Sequence, residues 1–184
     1  MRRLKNCQGE TDEFLSAIDN FGRNLGTCFL QLPPNFTPKS YKELEAYLKT
    51  LPENFKLTIE LRHPEWFRDN EIANDTFDMV KNLGFGMVIT DSAGRRDCVH
   101  MRLTNGEAFI RFVGNSLHPS DFTRIDDWIQ RLKKWLKQGL DTVYFMMHMH
   151  DEKNSPELIS YTIKEFNKHC GFDIKEPVFY NNGG

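Results

Sequence analysis

The sequence predicts an α/β fold of parallel strands joined through helices, barrel-like in type. Three observations carry that expectation. Strand-like and helix-like stretches alternate about five times with short connectors, the signature of a parallel sheet built from right-handed βα units. The stretch 57–67, LTIELRHPEWF, sets Leu57, Ile59 and Leu61 on one face of a strand and Thr58, Glu60 and Arg62 on the other. A strand that is apolar outward and charged on its second face suits a barrel, with helices over one side and a polar interior. Finally, 184 residues with 15 Phe are enough for one domain with a dense apolar core.

Taken in order, residues 12–24 place Phe14, Leu15, Ile18 and Phe21 at helical spacing behind an acidic first turn. After Gly26, TCFLQ is a short strand stopped by Pro33-Pro34, with Thr27, Phe29 and Gln31 sharing a face. A helix follows Ser40, whose hydroxyl is expected to cap it, and it turns Tyr41, Leu44 and Leu48 inward. Residues 57–61 form the next strand, 64–67 a turn, 71–83 a helix ended by Gly84, and 86–91 another strand. Runs 99–103 and 108–113 flank Thr104-Asn105-Gly106-Glu107, and Asn-Gly between two such runs predicts a hairpin. Its second run, AFIRFV, is the barrel strand. Residues 124–138 read as a helix burying Ile125, Trp128, Leu132, Trp135 and Leu136, with both tryptophans in the core and Gly139 at its end. A strand over 141–150, a helix over 155–170 with Pro156 in first position and a loose tail at 173–184 complete the chain. No repeat or low-complexity linker interrupts it, so a single domain is expected over 1–184.

Charge and cysteine usage narrow the function classes. Lys+Arg is 24 against Asp+Glu 26, a net charge of -2, which argues against a generic electrostatic grip on nucleic acid. Cys7, Cys28, Cys98 and Cys170 form no CxxC pair and no zinc-ribbon spacing, and read as reduced thiols of a cytoplasmic protein. No apolar run approaches 18 residues, so no membrane span is expected. His100, His118 and His169 read as solvated or capping.

Five segments carry a resemblance. FLQLPPNF, ELRHPEWF, the Thr-Asp ending of 89–91, IRFVG, and VYFMMHMH followed by SPEL resemble, in order, the signature segments of the YecE-like proteins, catalogued as domain of unknown function 72. The resemblance runs from about Leu4 to Gly171. It implies a TIM-barrel-like fold, of which this chain resembles the last five of eight βα units; family members carry three further units ahead of the segment matching 2–14. Barrels of this class take ~250 residues. An unclosed parallel sheet leaves edges at TCFLQ and VYFMM. Strands from another chain, an open and marginally stable sheet, or an incomplete gene product would each account for that, and the last is the expectation here. His148-Met149-His150 stands where many members have an Asn-rich ending, and Arg111-Phe112-Val113-Gly114 where many have Arg-Leu-His-Gly.

In barrels of this kind the site lies at the C-terminal strand ends. There the sequence places Gln31, then Glu60 with Arg62 and His63, Thr90 with Asp91, Arg111, and His148 with His150 and Asp151. Buried charges cost several kcal/mol unless paired, so such a set needs an explanation. One is an enzyme acting on a phosphate- or sugar-containing substrate, of hydrolase, phosphodiesterase or isomerase type. Gln31, Arg62, Trp66 and Arg111 would then bind an anionic substrate, and Glu60, Asp91 and His148 would supply acid–base chemistry. His148-x-His150 would hold a divalent metal with Glu60 or Asp91 as a third ligand. The other explanation is a non-catalytic binding or scaffold module, in which Glu60 and Arg62 form an internal ion pair and Trp66 plugs the barrel top. Pairing separates the two: carboxylates and arginines that satisfy one another are structural.

Overall fold

The computed structural model describes residues 4–179. The chain divides into two compact units. The first runs to Ile89 and takes in Asp97–Asn105; the second holds Thr90–Arg96 and the chain from Gly106 onward.

In the first unit, helix α1 (Gln8–Asp19) begins and ends earlier than its apolar spacing suggests, and a 3-10 turn covers Gly22–Asn24. Of the four apolar residues at helical spacing, Leu15 and Ile18 are partly buried, whereas Phe14 is 48% exposed and Phe21, past the end of α1, 60% exposed. Strand β1 (Cys28–Gln31) pairs in parallel with β2 (Leu57–Glu60), Gln31 standing opposite Glu60. Strand β3 (Gly86–Ser92) pairs in parallel with β2, Gly86 opposite Thr58; its last three residues belong to the second unit. A side chain at Gly86 would have to displace Thr58, whose Cγ2 its Cβ would overlap.

Helix α2 (Tyr41–Leu48) buries Leu44 and Leu48 as expected. Ser40 does not cap it. A 3-10 turn at Pro38–Ser40 holds Ser40 at φ −100°, ψ 21°, away from the extended backbone a capping hydroxyl needs. The expected turn at 64–67 is a four-residue helix, α3 (Glu65–Arg68), and α4 (Asn70–Asn82) follows it directly. Asp69 caps α4, its carboxylate accepting the Glu71 N–H at 2.8 Å and the Ile72 N–H at 3.4 Å. Gly84, at φ +80°, turns the chain into β3. The core of this unit gathers Phe36, Leu48, Ile59, Trp66, Phe77 and Val80.

The hairpin predicted around Asn105-Gly106 is absent. A two-residue turn of the favoured type needs positive φ at both central residues, and neither Asn105 nor Gly106 adopts it. Residues 99–103 form no strand either. The segment is instead pinned by side chains. Thr104 Oγ1 donates to the Phe85 carbonyl at 2.7 Å and Arg102 Nη1 to Asn74 Oδ1 at 2.7 Å. His100 is buried, contrary to the solvated position expected for it. Its ring stacks on Phe67 and meets Phe77 edge-on, at centroid distances of 5.3 and 4.9 Å. Nε2 lies 3.0 Å from the Val88 carbonyl. A carbonyl only accepts, so Nε2 carries the proton and Nδ1 accepts the Arg102 N–H at 3.4 Å. Burial pushes the His100 pKa down to about 4.

In the second unit, β4 (Glu107–Val113) and β5 (Thr142–His148) pair in parallel along their full length. Helix α5 (Pro119–Lys137) starts five residues before the expected boundary, because Pro119 occupies its first position. His118 caps it, Nδ1 accepting the Ser120 N–H at 3.2 Å. Trp128 and Trp135 are core residues, as predicted. Helix α6 (Ser155–Cys170) has the predicted bounds and ends at Gly171 in the left-handed region. Phe145 ties strand to helices through edge contacts with Trp128 and Phe166 and a stack on Phe112. Near its C-terminus, His169 pairs with Glu165 at 3.1 Å. Part of the expected tail is fastened to α6. Asn167 Oδ1 accepts the Ile174 N–H, Asn167 Nδ2 donates to the Ile174 carbonyl, and Glu176 meets Ser160 and Lys164. Residues 180–184 of that tail lie outside the described residues.

Candidate functional site

The first unit carries four of the predicted polar residues where β1 and β2 end. The parallel register sets Gln31 beside Glu60, and Gln31 Nε2 donates to Glu60 Oε2 at 2.6 Å. Glu60 is fully buried. The internal Glu60–Arg62 ion pair weighed from sequence does not form. Arg62, two residues on and half-buried, has no acidic partner among the described residues. Beside it His63 Nδ1 accepts the Glu65 N–H at 3.3 Å.

Trp66 is not a stacking platform. Its side chain is fully buried, Nε1 donates to the Phe36 carbonyl at 2.7 Å, and its ring lies parallel to Phe36 at 6.0 Å. A fully buried indole with its one donor used offers a ligand nothing.

In the second unit Asp91 is 1% exposed and saturated. Oδ1 meets Arg124 Nη1 at 3.0 Å and Arg96 Nη1 at 3.2 Å, while Oδ2 accepts Trp128 Nε1 at 2.8 Å. Arg124 continues the network to the Val113 carbonyl and to Asp121 Oδ1, each at 3.0 Å, and Asp121 Oδ2 accepts the Asn115 N–H at 2.7 Å. Both carboxylate oxygens are thus taken up by two guanidiniums and an indole. Asp91 therefore ties β3 to α5. Its role is structural, not the acid–base role expected from sequence. Arg124, Asp121 and Arg96 were not singled out in the sequence. The Asp121–Arg124 spacing of three residues was the available signal, had the helix been started at Pro119.

Arg111 stands half-buried on β4. His148 ends β5, about half exposed, with Nδ1 3.6 Å from Glu152 Oε1. The Ser155 hydroxyl, ahead of the Met149 N–H and His148, draws the Glu152 carboxyl below its ordinary value. His150 lies beyond the strand and is exposed, so the shared-face argument for a His148–His150 metal pair fails. Among the described residues no three His, Cys, Asp or Glu side chains gather as a metal site. The four cysteines are free thiols, Cys98 buried and the others partly so. No helix among the described residues is long and apolar enough to cross a membrane.

A family model described as "Protein of unknown function DUF72" matches residues 1–178. The chain belongs to that family. Two curated relatives, both named UPF0759 protein YecE, come from Escherichia coli O157:H7 and strain K12; each is 29% identical over 85% of this chain. The chain spans 63% of their length. A solved DUF72 protein from Enterococcus faecalis V583 superposes with a TM-score of 0.67 at 16% identity, over 92% of this chain and 69% of that one. A second, from Thermotoga maritima MSB8, gives 0.67 at 15% identity over 91% and 67%. The fold of this DUF72 member is thus the family's α/β fold.

Proposed function

We propose that this DUF72 member binds a small anionic molecule, recognised through a phosphate or carboxylate group, where β1 and β2 end. Arg62 carries the reading. A half-buried guanidinium with no acidic partner among the described residues is costly to keep, and its planar fork matches a phosphate or carboxylate through two parallel hydrogen bonds. A compact phosphate-bearing molecule suits the chain better than a nucleic-acid polymer, since a net charge of -2 gives no general attraction to a phosphate backbone. Calorimetric titration with inorganic phosphate and with a sugar phosphate tests it. Binding by the native chain, weakened in Arg62→Lys and lost in Arg62→Ala, supports the reading; unchanged affinity in Arg62→Ala defeats it.

A second reading, an enzyme of hydrolase or isomerase type on a phosphate- or sugar-containing substrate, is favoured by the Gln31–Glu60 hydrogen bond. An amide that holds a buried carboxylate in place close in sequence to an anion-binding arginine is an arrangement for acid–base chemistry. Glu60 is then the acid–base group and Gln31 its positioning residue. Turnover of a sugar phosphate or phosphodiester that disappears in Glu60→Gln while binding persists supports catalysis; absence of turnover in the native chain leaves a binding module.

A further inference from the structure

We infer that the groove between β5 and α6 binds a small amphipathic amine, an apolar body carrying an ammonium group. The groove lies wholly in the second unit and has a volume of about 590 Å³. Sites for small molecules have this size, with apolar and aromatic walls and a few polar groups that orient the ligand. Val143 and Phe145 supply the strand wall, Ile163 and Phe166 the helix wall, and Phe172 extends it beyond α6. Phe166 meets Phe145 edge-on at 5.3 Å and Phe172 edge-on at 5.9 Å, so the three rings make one aromatic surface. The segment after α6 is held in place beside them, because Asn167 grips the Ile174 backbone through two hydrogen bonds.

Charge decides the class of ligand. Asp141 and Asp173 are the charged residues of the lining, and both are acidic. Neither carboxylate has a hydrogen-bond or ion-pair partner among the described residues. Thr162, the other polar residue of the lining, spends its hydroxyl on the Leu158 carbonyl at 2.7 Å. Recognition therefore rests on the two carboxylates. Asp141 directly precedes β5, and Asp173 follows the Gly171 cap of α6. A helix that follows a parallel strand runs back alongside it, which brings both residues to the same end of the groove. The negative end of the α6 dipole points there too. Carboxylates beside an aromatic ring favour an ammonium head, by charge and by the ring's negative face, and repel an anion. The remaining length of the groove takes an apolar chain.

Calorimetric titration of the full chain at neutral pH with octylamine and octanoate, equal in apolar body and opposite in head charge, tests the inference. Octylamine should bind one-to-one and about tenfold or more tighter than octanoate. The double variant Asp141→Asn with Asp173→Asn should lose that preference. Both substitutions keep the side-chain shape at exposed positions, and circular dichroism verifies the fold. Ile163→Trp, which fills the groove, should abolish binding of both probes. Failure of octylamine to bind overturns the inference. So does equal affinity for octanoate, which would mark an adventitious additive only, and so does a preference that survives in the double Asn variant. Self-association of the chain that protects the β5 amides and is untouched by octylamine would make a second copy the occupant, and overturns it as well.

Discussion

His100 shows how one buried side chain sets a pH dependence. Its proton-accepting capacity is suppressed because the charged ring would sit between Phe67 and Phe77 with Arg102 nearby, and its pKa falls from 6.5 to about 4. The unfolded chain binds the proton first as pH drops, so stability is full above about 6.5 and is lost progressively toward 4. Urea unfolding at pH 7 and pH 5 should show the loss, and His100→Leu should flatten it. An unchanged slope in that variant would remove His100 as the cause. Trp66 makes a second residue-scale prediction. Trp66→Phe keeps most of the apolar ring but strands the Phe36 carbonyl, at a cost of about 1–3 kcal/mol in unfolding free energy. His100 and Trp66 were both open to misreading because burial, not residue type, fixes what an imidazole or indole does, and burial is decided by segments far off in sequence.

At the scale of elements, the tie between β3 and α5 is the one to break. Arg124→Met leaves Asp91 and Asp121 buried without their shared cation and should destabilise by about 3–5 kcal/mol in chemical denaturation. Arg96→Ala, which removes a half-exposed partner of the same carboxylate, should cost less than about 1 kcal/mol. Equal costs would refute the view that Arg124 is the principal partner. Gly86→Ala tests the β2–β3 approach, where the added methyl must displace Thr58, and about 1–3 kcal/mol of destabilisation is expected.

These same elements explain what could be read in advance. Period-two runs bounded by Gly and Pro located the strands well, because strand parity is a local property. It also put Gln31 and Glu60 at neighbouring strand ends. Parity failed at His150 because β5 stops at His148. The Asn105-Gly106 signal failed because a dipeptide permits positive φ without requiring it. The partner of Asp91 lies 33 residues on, in a helix, and no local spacing points to it.

For the whole molecule, exposed aromatic surface is the dominant liability. Phe14, Phe21 and Phe29 all show about half or more of their area. The chain alone should bind an apolar dye and associate as concentration rises, and Phe14→Asp with Phe29→Asp should reduce both, read by fluorescence and light scattering. Dye binding untouched by the double variant would place the sticky surface elsewhere.

The interleaving of the two units has a consequence for synthesis. The first unit is complete in sequence once Asn105 has left the ribosome, yet Thr90–Arg96, already translated by then, belongs to the second. The carboxylate of Asp91 must stay hydrated until Arg124 and Trp128 emerge more than thirty codons later. Nascent chains arrested between those points would hold a finished first unit trailing a strand end that has nowhere dry to go.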